Sequence, residues 1–259
     1  MTMAWCSVTA LIVLFWLAQV TTYAQDVPAD PDNTAEPVAE EVPSWTATVG
    51  GGLALASGNT DSLTYNFAVD MSYGRKTGNL LRWNGLYLRG TQNDVLAVNR
   101  LSVVVRDEYT FSPRVFAFAR IEYLHDTFKL IDYFAAPAIG LGYKIAESPT
   151  TRLAIDLGAG SVSERNLGGV SRTSSAVQAG ESLEHQVTST ASIKQSVSAV
   201  WDAHDFADGL YTTSVGIATR ISSRLQLSVD LLDTFKARPP TPETGRNDIN
   251  LVVAITAKY

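Results

Sequence analysis

The chain has a single cysteine, Cys6, and it lies in the first apolar stretch. Removal of that stretch leaves no thiol, which excludes a disulfide framework, a thiolate metal site and a cysteine nucleophile. Long hydrophobic runs are equally scarce. A helical membrane protein needs several runs of about 20 apolar residues, and the only run that approaches this is the nine-residue Ala10–Ala18 (ALIVLFWLA). Basic residues are missing from the segment 25–43, which holds Asp26, Asp30, Asp32, Glu36, Glu40 and Glu41. These six account for the whole formal charge of −6, leaving 20 acidic against 20 basic residues elsewhere. A neutral body excludes a nucleic-acid partner, which requires a net basic face.

What the sequence does contain begins with export signals. The apolar core Ala10–Ala18 is followed by Thr22-Tyr23-Ala24, whose small residues at −3 and −1 fit cleavage after Ala24. The positive n-region is missing, apart from the amino terminus. The competing reading, a membrane anchor, meets a run too short for a span and without flanking basic residues. Residues 1–24 are therefore read as a signal peptide. Residues 25–44, with Pro28, Pro31, Pro37 and Pro43, are read as an acidic, proline-rich periplasmic linker that buries no core.

From Trp45 onward the hydrophobic period is two. In 62–73, Leu63, Tyr65, Phe67, Val69, Met71 and Tyr73 alternate with Ser62, Thr64, Asn66, Ala68, Asp70 and Ser72. A strand sends successive side chains to opposite faces, so one face is apolar and the other polar. The pattern recurs in Leu225–Lys236 and in Tyr211–Ile221. Strands are expected near 45–57, 62–73, 80–91, 95–111, 115–128, 133–146, 151–164, 172–187, 190–203, 209–221, 224–237 and 247–259. Tight turns are expected at 112–114, 188–189 and 222–223, and longer loops around 165–171, 204–208 and 238–246. Twelve strands place both ends of the barrel on one side, with the three longer loops opposite. The fold class is all-β, a transmembrane antiparallel up-and-down barrel over 45–259. A mean hydropathy of +0.04 suits it, because lipid-facing and lumen-facing residues cancel along each strand. The alternative, a periplasmic sandwich or lipocalin-like barrel, would pack the apolar rows against one another. Against it stand the aromatic residues near strand ends, such as Tyr65, Tyr73, Trp83, Tyr87, Tyr109, Tyr123, Trp201, Tyr211 and Tyr259, which suit interfacial girdles.

The last strand alternates Ile249, Leu251, Val253, Ile255, Ala257 and Tyr259 with polar or small residues. The aromatic at its end resembles the signal read by the outer-membrane barrel assembly machinery, and Tyr259 is the expected assembly residue. Other motifs, in order, resemble those of the salt-induced outer membrane protein family. They are Ser57-Gly58-Asn59-Thr60-Asp61, Arg106-Asp107-Glu108-Tyr109 with Ser112-Pro113-Arg114, and the segment Asp126 through Asp132 to Pro137, Gly140, Gly142 and Tyr143. The resemblance covers 45–259 and implies location in the bacterial outer membrane, with outer-membrane lipids and lipopolysaccharide as surroundings, and expression under salt or alkaline stress. It implies no substrate, reaction or oligomeric state.

By parity, Asp70, Arg82, Arg100, Arg106, Glu108, Arg120, Glu122, Lys144, Asp156, Glu164, Lys194, Arg220, Asp230 and Lys236 line the lumen. They fit either a polar pore or a ladder of ion pairs that fills the barrel, since twelve strands fall between filled eight-stranded barrels and open sixteen-stranded ones. Mixed signs exclude a strong cation or anion filter. His204, Asp205 and Asp208, expected in an outer loop, form the candidate set for a surface hydrolase, with a solvated loop as the plainer reading. His125, Asp126 and Asp132 make a weaker cation site with Lys129 in competition, and His185 stands alone. Gly50-Gly51-Gly52 and Gly168-Gly169 do not sit between a strand and a helix, so no phosphate cradle is expected. No cofactor, metal site or catalytic residue is assigned. The expected function is a structural or small-solute pore without catalysis, the alternatives being a surface-loop hydrolase or a surface solute-binding protein.

Overall fold

The computed structural model describes residues 44–258, except 57–61, 75–77, 128 and 240–244. Twelve strands follow one another: β1 (Ser44–Ala56), β2 (Ser62–Gly74), β3 (Asn79–Gln92), β4 (Val95–Thr110), β5 (Val115–Asp126), β6 (Ile131–Glu147), β7 (Thr151–Asn166), β8 (Arg172–Gln186), β9 (Ala191–Asp202), β10 (Asp205–Arg220), β11 (Leu225–Lys236) and β12 (Asn247–Lys258). Each pairs antiparallel with its neighbours in sequence, and β12 returns to β1, so the sheet closes into a barrel. Among the described residues there is no helix. The closing seam joins Thr48–Gly51 to Ile255–Lys258, a shorter ladder than the full-length pairing of β1 with β2. Closure leaves no sheet edge, so the N–H and C=O groups of the first and last strands find partners in each other.

The alternation fixes the faces. On β5 the even-numbered Phe116, Phe118, Glu122, Leu124 and Asp126 are buried inside, whereas Ile121 is exposed outside. Odd-numbered apolar side chains cover the outer wall, with Ile139 71%, Leu157 62% and Leu251 68% exposed. Such exposure across most strands far exceeds the apolar patches of a water-soluble monomer. Aromatic clusters mark both rims. Trp45 stacks on Trp83 and lies 4.6 Å from Tyr73 at one rim. At the other, Trp201 donates its indole N–H to the Tyr211 hydroxyl (2.7 Å), and Tyr211 packs on Phe235.

The end that holds the first residue of β1 and the last of β12 is called proximal here, the opposite end distal. Four proximal turns share one local device. The hydroxyls of Ser112, Ser148, Thr188 and Ser222 accept the N–H three residues on, from Val115, Thr151, Ala191 and Leu225. A short hydroxyl side chain that bonds the backbone ahead favours a turn over strand continuation, which is why these connections are tight. The β3–β4 connection is a two-residue turn with Asn93 and Asp94 both at positive φ, the geometry that matches strand twist.

One expectation is corrected. Residues 204–208 are not a long loop: β10 begins at Asp205, its register with β9 shifts between Asp205 and Gly209, and only Ala203 and His204 connect the strands. The bulge adds residues to one strand without lengthening the loop, so the distal connections range from two residues to the ten of 237–246 rather than being uniformly long. The Ser57–Asp61 turn lies outside the described residues, as do the signal segment, the linker up to Pro43 and Tyr259.

Candidate functional site

The lumen divides into a packed distal half and an open proximal half. The distal half is filled by Leu124, Ile131, Phe134, Ala136, Val162, Ala176, Val200 and Leu210, which form one buried cluster contributed by β5 to β10. Inward-facing positions on β6 are therefore largely apolar, and those on β5 mix Phe116, Phe118 and Leu124 with Arg120, Glu122 and Asp126, contrary to a uniformly polar interior. Around this cluster, charged side chains span the barrel. Arg100 on β4 donates to Thr234 Oγ1 on β11 (2.6 Å) and lies 3.8 Å from Asp126. Lys129, in the β5–β6 turn and 1% exposed, reaches Asp248 of β12 (3.1 Å) and the carbonyl of Arg246 (3.1 Å). In the wall β6 and β12 are six strands apart, hence opposite each other. Lys236 on β11 binds Glu164 on β7 (2.9 Å) and Asp208 on β10 (3.3 Å), and Asp208 also accepts from Arg172 of β8 (2.6 Å). These bonds tie opposite walls together across the distal mouth.

The proximal half holds a cavity of about 370 Å³. Arg82, Arg106 and Arg120 are direct partners on β3, β4 and β5, so three guanidinium-bearing positions stand side by side on its wall. Each has an acidic counterpart. Glu108 accepts from Arg106 Nε (2.7 Å) and Arg82 (3.2 Å), Asp156 on β7 accepts from Arg106 (3.0 Å), and Glu122 accepts from Arg120 (2.6 Å) and from the Ser198 hydroxyl on β9 (3.3 Å). The Arg106 guanidinium also lies over the Phe118 ring, 4.1 Å from its centroid. Phe116 and Phe118 find room because the facing positions on β6 are Gly142 and Gly140. A Cβ on Gly142 would overlap the Phe116 ring, and one on Gly140 would meet the backbone of Leu157 and Gly158 on β7 first and then come within 2.7 Å of Phe118. The Pro137–Tyr143 motif thus has a packing cause.

The remaining inward positions are less engaged. Asp70 accepts from Asn84 (2.9 Å), Lys144 pairs with Glu147 (3.5 Å), and Lys194 and Asp230 flank Gly216 in one paired row. Arg220 is exposed at the proximal end. Arg106 carries the densest set of contacts, and its removal leaves Glu108 and Asp156, each about one-eighth exposed, without their main counter-charge. Arg106→Ala is expected to lower stability by about 1–3 kcal/mol, and Arg82→Ala, whose side chain is 43% exposed, by under about 1 kcal/mol. Urea denaturation of the refolded barrel, followed by tryptophan fluorescence, checks the contrast.

The hydrolase candidates do not converge. His204 is exposed in its turn and faces Asp202 (3.4 Å), Asp205 pairs with Arg238 outside, and Asp208 points inward to Arg172 and Lys236. The second set is likewise dispersed. The His125 ring bonds the Asp132 carbonyl, the Asp132 carboxylate pairs with Arg165, and Asp126 turns to Arg100. His185 bonds the Thr151 hydroxyl (2.8 Å). Among the described residues no group of His, Cys, Asp and Glu is arranged to hold a metal.

Two features escape a parity reading. Lys129 lies in a turn, where alternation says nothing about direction. The outward rows also carry charges, at Arg89, Asp107, Glu181 and Asp233, visible in the sequence as odd-numbered polar residues inside apolar rows.

Among solved structures, the chain resembles an outer membrane channel, COG4313, from Pseudomonas putida F1, at 12% identity over 90% of this chain and 100% of that one, TM-score 0.46. It also resembles the NanC porin, at 10% identity over 82% and 96% with a TM-score of 0.45, and the translocator domain of the autotransporter NalP from Neisseria meningitidis, at 9% over 85% and 88% with a TM-score of 0.44. Scores this low carry no conclusion about function. No curated protein matches the sequence. The family described as protein of unknown function, DUF481, matches residues 49–259, from the middle of β1 through the rest of the barrel, and the chain belongs to that family.

Proposed function

We propose that the protein spans the bacterial outer membrane as a small-solute or ion pore whose outer mouth is shut at rest, and that it performs no catalysis. The observation that carries this reading is the pair of lumen halves: a cavity of about 370 Å³ with charged side chains on its wall at the proximal end, and a distal end bridged by Lys129, Arg100 and Lys236. The exposed apolar wall between aromatic rims supports the membrane location. With residues 1–24 as a cleaved signal peptide and 25–44 as a periplasmic linker, the proximal end faces the periplasm and the bridged end faces outward, among lipopolysaccharide. Tyr259 and the last strand serve the barrel assembly machinery, and the amount of protein rises under salt or alkaline stress, as in the family it resembles.

Planar-bilayer recording of the refolded protein tests this reading. A closed baseline with brief openings is expected. A large, steady conductance in the wild type refutes the shut mouth, and silence even after the bridging residues are replaced refutes the pore. Replacing His204 by Ala should leave conductance and stability unchanged within about 0.5 kcal/mol. Loss of a measurable peptide or lipid hydrolysis in that variant would revive the surface enzyme.

A further inference from the structure

The outer wall of β7 to β9 differs from the rest of the barrel. β7 and β8 carry no Trp, Tyr or Phe, so these two strands lack the rings that anchor a barrel wall to the lipid interfaces, and on β9 such a ring appears at the distal rim as Trp201. Toward the distal rim its outward row carries hydroxyls, and Thr173 donates to Ser163 (3.0 Å). In its middle sits a polar pair: Gln195 Nε2 on β9 lies 3.3 Å from both carboxylate oxygens of Glu181 on β8. Both residues occupy outward positions, because their direct partners Val197, Leu183 and Val215 belong to the apolar outer rows.

The depth of Glu181 can be read from register. Strands tilt in a barrel, so a row of directly paired residues climbs from one rim to the other. The row through Glu181 begins at Val115, the first residue of β5 at the proximal end. It finishes at Ile249, near the distal start of β12, with Glu181 fourth of eight. The pair therefore sits near mid-height, where hydrocarbon offers a carboxylate nothing.

We propose that this face packs against a second copy of the same chain. The argument for a copy is self-complementarity. Two barrels inserted in the same direction and related by a two-fold axis along the membrane normal present their polar pairs at equal depth. Each Gln195 amide has two N–H groups, one for its own Glu181 and one for the partner's Glu181, and the contact is reciprocal as an isologous interface requires. The small side chains around the pair, such as Ala179, let the walls approach. The inference rests on the membrane-spanning reading but not on conductance.

The test uses the full chain with Cys6 replaced by Ser, expressed to the outer membrane, with single cysteines introduced by Ala179→Cys, Val197→Cys or, as the control face, Phe67→Cys. Under mild oxidation the first two are expected to give a disulfide-linked pair as the main species, at least tenfold above Phe67→Cys. Adding Glu181→Leu and Gln195→Leu should reduce that product at least tenfold, while the protein keeps its different gel mobility before and after boiling. Equal cross-linking on all faces, none on any, cross-linking to a different protein, or a product untouched by the leucine pair would each overturn the proposal. Absence of the protein from the membrane fraction would instead overturn the membrane reading beneath it.

Discussion

Lys129→Ala is expected to turn a largely closed barrel into a conducting one. The Lys129 ammonium is buried at the distal mouth between Asp248 and the carbonyls of Gly245 and Arg246, so the β5–β6 turn is fastened to the start of β12 on the opposite wall. Hydrogen bonds to a charged group contribute about 1.5–3 kcal/mol each. Loss of one such tie shifts a closed-to-open ratio by about 10- to 100-fold, since about 1.4 kcal/mol is a factor of ten. The shift should appear in planar-bilayer recordings as longer open times rather than as a new conductance level, because Arg100 and Lys236 still cross the lumen. Lys129→Met separates charge from bulk. If it stays closed while Lys129→Ala opens, the side chain acts as a stopper. If both open, the ion pair is the fastening. The double variant Lys129→Ala with Arg100→Ala should raise the conductance level itself. No current from any of the three would show that the distal half is a permanent core and the protein a structural barrel.

The strands were legible in the sequence because a closed single-layer wall sends successive side chains alternately inward and outward, imposing the same two-residue period along the whole barrel. Ser62–Tyr73 was recognisable as β2 from that alternation alone. The start of β10 was not, because Asp205, Phe206, Ala207, Asp208 and Gly209 have the composition of a loop, and the register shift there breaks the period. Parity put Arg82, Arg106, Glu108, Arg120, Glu122 and Asp156 on one face, and these stand around the proximal cavity, whereas Asp70 and Asp230 of the same rows do not. Their partners were not legible. Parity gives a face but says nothing about what lies across the lumen, so Arg106 with Asp156, or Lys236 with Glu164, could not be matched before the wall was closed. The choice between a filled and an open lumen depended on those matches. A signal was present in the even-numbered row of β5, where Phe116, Phe118 and Leu124 replace the polar residues that a water-filled channel would need.

That row also makes the strongest claim about packing. Gly142→Val is expected to destabilise the barrel sharply, but to cost little or nothing more once Phe116→Ala has removed the ring it meets. Gly142 is directly paired with Phe116 on the adjacent strand, and Phe116, 3% exposed, lies with its ring where a side chain at 142 would be. Adding carbons to a packed site costs about 1–3 kcal/mol. Here the three nearest atoms that a Cβ would meet all belong to one aromatic ring rather than to backbone, so the two substitutions should be strongly non-additive. Phe116→Ala alone removes a buried ring and should cost about 3–5 kcal/mol, while the double variant gains the valine methyls in the space vacated. Urea midpoints of the four proteins, refolded in the same lipid, give the coupling. An interaction of about 1–3 kcal/mol in the stabilising direction is expected for residues in contact. Additive effects would mean that the β5 ring does not occupy the notch on β6, and the packing account of the Pro137–Tyr143 motif would fail with it.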